Sequence, residues 1–295
     1  MVKKIFLMLA VAFSVVTVYA QRYDSYQHNG EIGASIGLAN YFGDLNPNEK
    51  FNRMKFSGGV YYQYYINNYF GLRASGNYAR LGYSDIYSSN PTYKERNLSF
   101  NTDIWELSVA GTFNFFRFLP GIKEYRFTPY VTAGIGIFNY NPYTYLNVDG
   151  TDQKVYLRPL GTEGQNSTTE HDGKKYGSMA VAIPLGVGVK YALNENWNVF
   201  AEVNYRLTTT DYIDDVSSTY AGAQAFQANT YKGSTRDLWY ASQLQDRSAV
   251  ANDGTAIGTK GYQRGNGTGK DSYMTFQIGV SFNLNGYKCP PPSKN

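Results

Sequence analysis

The segment MTFQIGVSFNL, residues 274–284, alternates strictly between apolar side chains and small or polar ones. A period of two is typical of a β-strand whose two faces meet different surroundings. Its eleven residues match the length that a tilted strand needs to cross a bilayer, about 9–11 residues. The segment therefore predicts a membrane-spanning strand. Its predicted lipid-facing residues are Met274, Phe276, Ile278, Val280, Phe282 and Leu284.

Seven upstream segments repeat this alternation and are separated by polar or turn-forming stretches. Together the eight segments predict an all-β chain that forms a transmembrane antiparallel β-barrel of about eight strands with long extracellular loops. Pro184 falls inside the sixth segment and predicts a bulge or a local break there, because proline cannot donate a ladder hydrogen bond. The seven segments are residues 31–41, 55–66, 69–78, 104–115, 130–138, 180–191 and 197–207.

The predicted connections alternate in length along the chain. Short ones follow the second, fourth and sixth strands, and long ones follow the first, third, fifth and seventh. Outer-membrane barrels have short periplasmic turns and longer outer loops, so an even strand count predicts both termini in the periplasm. A soluble β-sandwich also has alternating strands, but it does not predict this alternation of loop length. The long connections are residues 42–54, about 81–103, 139–179 and 208–273.

The N-terminus has the pattern of a cleavable signal peptide. Two lysines precede an apolar run, residues 5–18, which is shorter than the roughly 20 residues of a spanning helix. Ala20 then offers a small residue for cleavage before Gln21. The predicted organisation is a signal peptide, a short periplasmic segment, the barrel and a proline-rich periplasmic tail. Their ranges are 1–20, 21–30, 31–284 and 285–295.

Composition agrees with a polar-lined barrel in the outer membrane. The chain has 29 Tyr and 17 Phe residues, but its mean hydropathy is only −0.43. A barrel can be rich in aromatic residues and still polar on average, because only alternate strand residues face lipid. Aromatic residues also suit the girdles at the two membrane interfaces. Without Lys3 and Lys4, 25 basic residues face 23 acidic ones, a balance that argues against a nucleic-acid partner. Cys289 is the single cysteine, so no internal disulfide is expected.

Charged residues on the predicted inward faces form a candidate lumen cluster. Because charges at lipid-facing depth are costly, the lumen is where they are expected. Such a cluster can form a pore constriction or binding site, or a salt-bridged plug. A lumen of eight strands is just wide enough for side chains, which favours the plug. The cluster is Arg73, Glu106, Lys190, Glu202 and Arg206.

Catalytic and metal-binding patterns are weak in this sequence. The two histidines, His28 and His171, lie outside the predicted strands, and neither pairs with an evident nucleophile. Asp211, Asp214 and Asp215 could bind calcium, although a solvated loop start is the favoured interpretation. We therefore predict no enzyme, no metal site and no cofactor. A small porin or ligand-binding barrel and a lipid-modifying barrel enzyme remain as alternatives.

The last strand and the tail carry two further candidate signals. The pattern Gln277, Gly279, Phe282, Leu284 resembles the C-terminal β-signal that the barrel insertion machinery recognises. Unlike many barrels, the chain continues for eleven residues, including a run of three prolines that favours a stiff, extended tail. The candidate partner contact in this tail is Tyr287, Lys288, Cys289 and Pro290.

Four stretches resemble the PorG-like outer-membrane barrels of Bacteroidetes, which are associated with the type IX secretion system. They are residues 31–47, ending in YFGDLNP, residues 157–165 (LRPLGTEGQ), residues 210–220 (TDYIDDVSSTY) and residues 279–292. The resemblance implies a non-enzymatic component of the machine that exports proteins across the outer membrane. It also implies association with a periplasmic ring built from PorK-like and PorN-like proteins.

Overall fold

The computed structural model describes residues 26–267 and 269–287. The chain divides into two units, and the larger one, His28–Asn285, contains the barrel. The other unit comprises Met1–Gln27 and Gly286–Asn295, of which only the ends of the first and last strands are described. The predicted signal peptide and the tail from Lys288 onward lie outside the described residues.

Eight antiparallel strands close into a barrel, which confirms the predicted fold class. In chain order around the barrel they are β1 (Tyr26–Phe42), β2 (Lys55–Tyr65), β3 (Phe70–Ser84), β4 (Ser99–Asn114), β5 (Phe127–Asn139), β8 (Met179–Ala192), β9 (Trp197–Thr208) and β10 (Ser272–Tyr287). The last strand pairs with the first, so the ring has no free edge. Two further strands, β6 (Tyr143–Val148) and β7 (Thr151–Tyr156), form a hairpin that extends from β4.

The strand register divides side chains between a lipid face and a lumen face, as the alternation predicts. Ile36 on β1 is 61% exposed and Ile278 on β10 is 65% exposed. Such a continuous belt of exposed apolar side chains requires an apolar surrounding, and a lipid bilayer supplies it. The other predicted outward residues are also exposed or half-buried: Val60, Leu72, Val109, Ile135, Leu185 and Val203.

The two ends of the barrel differ in the length of their connections. At one end, the turn end, Asn67 accepts the backbone N–H groups of Tyr69 and Phe70 at 2.8 Å, and Asn194 shapes the last turn in the same way. The second turn is as long as the first loop, so the alternation of lengths is less regular than predicted. The turns are residues 66–69, 115–126 and 193–196, and the loops at the other end, the loop end, are 43–54, 85–98, 140–178 and 209–271.

Short helices occur within the loops. They are α1 (Pro91–Arg96), α2 (Thr235–Leu244) and α3 (Ser248–Ala251), with 3₁₀ turns at Asp85–Tyr87, Lys123–Tyr125 and Ala223–Phe226. Asn90 caps α1 by accepting the N–H of Thr92 at 3.0 Å, and Ser234 caps α2 through Asp237 at 3.1 Å. Within the described part of the chain, no helix is long and apolar enough to cross a membrane.

The hairpin of β6 and β7 is an element that the sequence analysis missed. It turns at Asp149 and Gly150, which have φ angles of 51° and 82°. Two successive positive φ angles define the type I′ turn that an Asp-Gly dipeptide favours. This dipeptide was therefore an available signal for the hairpin.

The strands extend further toward the loop end than predicted, and their polarity reverses there. β3 runs to Ser84 instead of ending at residue 78, and β4 begins at Ser99 instead of residue 104. In these extensions the inward residues Leu81, Tyr83 and Phe100 are apolar and buried. The alternation appeared to end because beyond the bilayer the outward face meets water and the inward face meets a packed core.

Pro184 leaves β8 in register, so the predicted bulge is absent. The pairing of β8 with β9 is continuous through Pro184 and Arg206. On the β5 side, pairs are formed at Ala133–Leu185 and at Gly136–Ala182 in the same register, with a gap between them. The missing proline N–H accounts for a local gap in one ladder.

A hydrophobic core fills the loop end of the barrel. Inward strand residues such as Tyr41, Phe100 and Phe138 pack in one cluster with Ile213 and Leu244 of the fourth loop. The third loop contributes Leu157 and Leu160 to the same cluster. The long loops therefore fold into a compact structure over the barrel mouth, which we call the lid, residues 43–54, 85–98, 140–178 and 209–271.

Candidate functional site

The lumen contains three ion pairs, stacked from the turn end to the loop end. Lys190 pairs with Glu31, Arg73 Nη1 lies 2.6 Å from Glu202 Oε2, and Arg206 Nε lies 2.8 Å from Glu106 Oε2. All six side chains are buried. In each pair the partners come from strands that are not neighbours in the barrel, so each pair joins separate parts of the wall.

The structure thus places all five predicted lumen charges inside, and adds Glu31. Glu31 was not among the predicted lumen charges; it stands at the predicted start of the first strand, where a charged residue is usually solvated. β1 in fact begins at Tyr26, so Glu31 lies within the strand and on the inward parity. Counting back two residues at a time from Ser35 and Gly33 would have identified it.

Each lumen carboxylate also accepts a hydrogen bond from a tyrosine. The hydroxyl of Tyr61 donates to Glu31 at 2.8 Å, that of Tyr130 to Glu202 at 2.6 Å, and that of Tyr273 to Glu106 at 2.8 Å. A buried ion pair is tolerated only when its remaining hydrogen-bonding capacity is satisfied. These tyrosines, together with Asn77 and Asn198, satisfy the carboxylates, whereas among the described residues Nη2 of Arg73 has no hydrogen-bond partner.

Little space remains between these side chains. The central cavity measures about 30 Å³, enough for no more than about one or two water molecules. Tyr61 and Tyr130 fit because glycines face them: a Cβ at Gly33 would lie 2.3 Å from the ring of Tyr61, and one at Gly188 would lie 2.5 Å from that of Tyr130. Small inward residues on β1 and β8 therefore make room for rings.

Above the lumen, three of the stretches that carry the PorG-like resemblance meet in one buried polar cluster. Tyr41 lies with its hydroxyl 2.6 Å from Asp214 Oδ2 and 2.8 Å from Asp271 Oδ1. Glu163 accepts the backbone N–H of Ser217 at 2.8 Å. We call this the lid cluster and define it as Tyr41, Asp44, Thr162, Glu163, Asp211, Asp214, Asp215, Ser217, Arg264 and Asp271.

Two arginines tie the lid cluster to the rest of the lid. Arg264 Nη1 lies 3.1 Å from Glu163 Oε1 and donates to the carbonyl of Asp215 at 2.7 Å. Arg96 forms a two-point contact with Asp85, at 2.7 and 2.8 Å, and also donates to the carbonyl of Asp44 at 3.1 Å. The four loops are therefore crosslinked by buried polar contacts.

Burial raises the pKa values of the aspartates in the lid cluster, where carboxylates also outnumber arginines. Burial raises the pKa of Asp215 to about 6, even though Arg264 acts in the opposite direction. Burial raises the pKa of Asp44 to about 7. Burial, with the nearby Asp271 carboxylate, raises the pKa of Asp214 well above its usual range. The folded lid cluster therefore favours the neutral forms of these carboxyl groups.

The favoured interpretation of Asp211, Asp214 and Asp215 as a solvated loop start is wrong. All three are buried, because the fourth loop folds back over the barrel mouth. They accept hydrogen bonds from hydroxyl groups: Ser217 donates to Asp211 at 2.6 Å, and Tyr176 donates to Asp215. Among residues 26–267 and 269–287, no group of three or more His, Cys, Asp or Glu side chains is arranged to hold a metal ion.

The remaining predicted sites lie near the turn end or outside the described residues. On β10, Gln277 is buried, the lumen side of Gly279 faces the ring of Phe200, and Phe282 and Leu284 are exposed. Tyr287 ends the strand, while Lys288, Cys289 and Pro290 lie beyond the described part. The β-signal and the partner contact stay predictions.

His171 shows no catalytic arrangement with the residues described. His171 is half-buried in the lid, and its Nδ1 lies 2.7 Å from the carbonyl oxygen of Thr169. His28 belongs to the first residues of β1. The prediction of a non-enzymatic barrel stays a prediction.

Residues 3–160 match the family model described as "Domain of unknown function (DUF6089)". No curated protein sequence matches the chain. Among solved structures, the N-terminal barrel domain of Pseudomonas aeruginosa OprF is 14% identical, with 88% of this chain and 99% of that one covered and a TM-score of 0.35. A major outer membrane protein of Thermus thermophilus is 10% identical, with 87% and 100% covered and a TM-score of 0.40. Neisserial surface protein A is 12% identical, with 88% and 98% covered and a TM-score of 0.38.

Proposed function

The chain belongs to the family described as a domain of unknown function (DUF6089), and we propose that this member is a non-conducting, non-enzymatic β-barrel of the outer membrane. We propose further that it supports protein export as a component of the type IX secretion system. In this proposal the signal peptide is removed, the loop end faces outward and both termini are periplasmic.

One observation carries the first part of the proposal, namely the filled lumen. Three buried ion pairs and their tyrosines occupy the interior and leave a cavity of about 30 Å³. A diffusion pore needs a continuous aqueous path, and a binding barrel needs an open interior. A barrel that offers neither acts through its surfaces, which favours a scaffolding or assembly role over a porin.

The resemblance to PorG-like barrels supports the second part. Three of its four stretches contribute buried residues to the lid cluster, which gives them a role in folding the lid. The partner contact is therefore expected elsewhere. The turn end is exposed to the periplasm in this proposal, and its turns, residues 66–69, 115–126 and 193–196, are too small for a stable interface of about 1,200–2,000 Å². The tail from Tyr287 onward is the proposed contact with a ring of PorK-like and PorN-like proteins.

Deletion of the whole protein tests the proposed role in secretion. We expect loss of the protein to trap type IX cargo inside the cell, and the wild-type chain to restore export. Normal secretion in its absence would contradict the role. The porin and enzyme alternatives make different predictions, since a porin conducts in a planar bilayer and an enzyme alters membrane lipid.

A truncation at residue 287 tests the partner contact separately. It removes residues 288–295 and leaves β10 and the β-signal intact. We expect normal abundance in the outer membrane, weaker co-purification with the ring proteins and lower secretion. A chain with a glycine-serine sequence of equal length in place of residues 288–295 is the control for tail length. Unchanged co-purification and secretion at normal abundance would exclude residues 288–295 as the contact.

A further inference from the structure

A polar groove opens between the third and fourth loops, just above the lipid-facing ends of β8 and β9. Its volume is about 620 Å³. Its lower edge consists of Met179, Ala180 and Thr209, and Met179 is 63% exposed on the lipid side. The groove therefore continues directly into the membrane-facing wall of the barrel. It is separate from the filled lumen.

The base of this groove is a stack of three tyrosine rings. The rings of Tyr140 and Tyr176 lie 6.2 Å apart at an angle of 6°, and those of Tyr176 and Tyr212 lie 4.3 Å apart at 8°. Their hydroxyls are held as well: Tyr140 contacts Thr210 at 2.9 Å, and Tyr212 accepts the backbone N–H of Lys174 at 3.1 Å. The base is thus fixed in place before any ligand binds.

Three exposed lysines, Lys174, Lys175 and Lys270, line the groove. Within the part of the chain that the structure describes, none of them has a carboxylate oxygen within the 4.0 Å of an ion pair. The two aspartates of the groove already accept hydroxyl groups, since Thr219 donates to Asp172 at 2.7 Å and Ser217 donates to Asp211 at 2.6 Å. Lys270 also acts on the nearby Asp211: burial raises the pKa of that carboxyl, and the charge of Lys270 lowers it, whereas Lys174 and Lys175 are available to an external anion.

The height of the groove places these lysines at the level of lipid head groups. Tyr191 and Met179 are the first and last exposed residues of the lipid face of β8, twelve positions apart. A strand that rises about 3.3 Å per residue and tilts by about 40° climbs roughly 2.5 Å per residue, or roughly 30 Å between them. That distance is about the thickness of the hydrocarbon core. Lys174 and Lys175 precede Met179 in the chain and lie on its aqueous side.

We propose that this groove binds the phosphorylated sugar head group of an outer-leaflet glycolipid. The three lysines contact the phosphate, and Met179 meets the first part of an acyl chain. The hydroxyls of Thr209 and Ser218 already donate to the carbonyl oxygen of Val181 and to Glu163, so their oxygens accept hydrogen bonds from the sugar. This inference rests on the proposed orientation, with the loop end outward. It does not depend on the secretion role, so its failure leaves that role untouched.

Native mass spectrometry of the full-length barrel in detergent tests the proposal. The probes are diphosphorylated lipid A, the same lipid without phosphates, and free glucosamine 1-phosphate. The test variant is K174Q/K175Q/K270Q, and the matched control K94Q/K232Q/K260Q removes the same charge from exposed lid lysines outside the groove. Heat-modifiable mobility in gels reports folding, and the single variants serve if the triple variant does not fold.

We expect the groove variant to bind diphosphorylated lipid A at least tenfold more weakly, since each lysine near a charged surface contributes about fivefold. The control should stay within about twofold of wild type. The dephosphorylated lipid and the free sugar phosphate should both bind weakly. Equal loss in both triple variants, no loss in the groove variant, or equal binding of the dephosphorylated lipid would overturn the proposal. Binding of free glucosamine 1-phosphate as tight as that of lipid A would overturn the assignment to a membrane lipid.

Discussion

The lumen and the lid cluster both bury many charged groups, but they compensate for burial in different ways. In the lumen every carboxylate has a cationic partner, as in the pairs Arg73–Glu202 and Arg206–Glu106. In the lid cluster, carboxylates such as Asp44 and Asp214 outnumber the arginines. Hydroxyl groups and bound protons compensate there instead. The inward face of the strands differs between the same two regions. It is polar within the bilayer and apolar beyond it.

This difference shows how one chain uses the same alternation in two surroundings. Where lipid lies outside, polar side chains must point inward, and only paired charges can remain there. Where water lies outside, the inward face becomes an ordinary hydrophobic core, and the long loops cover it. The two regions should therefore respond differently to loss of a partner, to pH and to neutralisation of an acid.

The largest expected effect follows from leaving a lumen cation without its partner. Glu202→Gln leaves the charged Arg73 buried without its carboxylate partner. The free energy of unfolding should therefore fall by roughly 3–5 kcal/mol. Urea unfolding in detergent micelles measures this value. The double variant Arg73→Met with Glu202→Leu should recover most of the loss, because no buried charge remains. Equal destabilisation by the single and double variants would contradict the pairing described for the lumen.

A slightly smaller effect is expected from a charge on the lipid face. Val187 is 58% exposed on β8, and Val187→Arg should cost roughly 2–4 kcal/mol at this depth and impair insertion into liposomes. The matched control is Val250→Arg in the lid, where Val250 is 80% exposed to water and the change should have little effect. Similar tolerance at the two valines would contradict the assignment of the lipid face.

The pH dependence of stability should separate the lid from the lumen. In the folded lid the pKa values of Asp215 and Asp44 are about 6 and about 7, whereas opened loops lose these protons near pH 4. The closed lid therefore binds more protons between about pH 4 and pH 7. Its stability should therefore fall as pH rises through that window.

Hydrogen exchange, corrected for its intrinsic pH dependence, measures this effect. Protection in the fourth loop, residues 209–271, should decrease from pH 5 to pH 8. Amides of β9 and β10 within the bilayer serve as the internal control and should change much less. Protection in the loop that stays constant or increases with pH would contradict the role of bound protons in the lid.

The smallest effect is expected from neutralising a lid acid. Asp214→Asn should leave lid protection at pH 7 within about 0.5 kcal/mol of wild type or increase it, because the raised pKa of Asp214 shows that the folded lid favours its neutral form. The same exchange experiment provides the measurement. A loss as large as that of Glu202→Gln would mean that the lid depends on paired charges as the lumen does.

The sequence predicted the membrane part of the barrel well because lipid imposes a strict pattern there. β2 begins at the predicted Lys55, β9 begins at the predicted Trp197, and the register places the predicted inward charges in the lumen. Beyond the bilayer the inward face is apolar and the outward face meets water. The extensions of β3 to Ser84 and of β4 from Ser99 were therefore missed. Periodicity contains no separate marker for that change of surroundings.

The lid cluster was beyond sequence reasoning for a different reason. Asp214, Glu163 and Tyr41 come from distant parts of the chain, and nothing local indicates that they meet. A polar, glycine-rich loop of this length usually indicates solvent exposure, so its aspartates were assigned to water. Long-range loop packing decides their burial, whereas the lumen pairs follow from strand parity alone.

Conductance of the purified barrel in a planar bilayer tests the central claim most directly, because a filled lumen and a folded lid leave no aqueous path. We expect no steady large conductance from the wild-type protein, in a bilayer where an open porin added as a positive control conducts. Stable channel openings by the wild-type barrel would contradict the closed lumen and favour a porin.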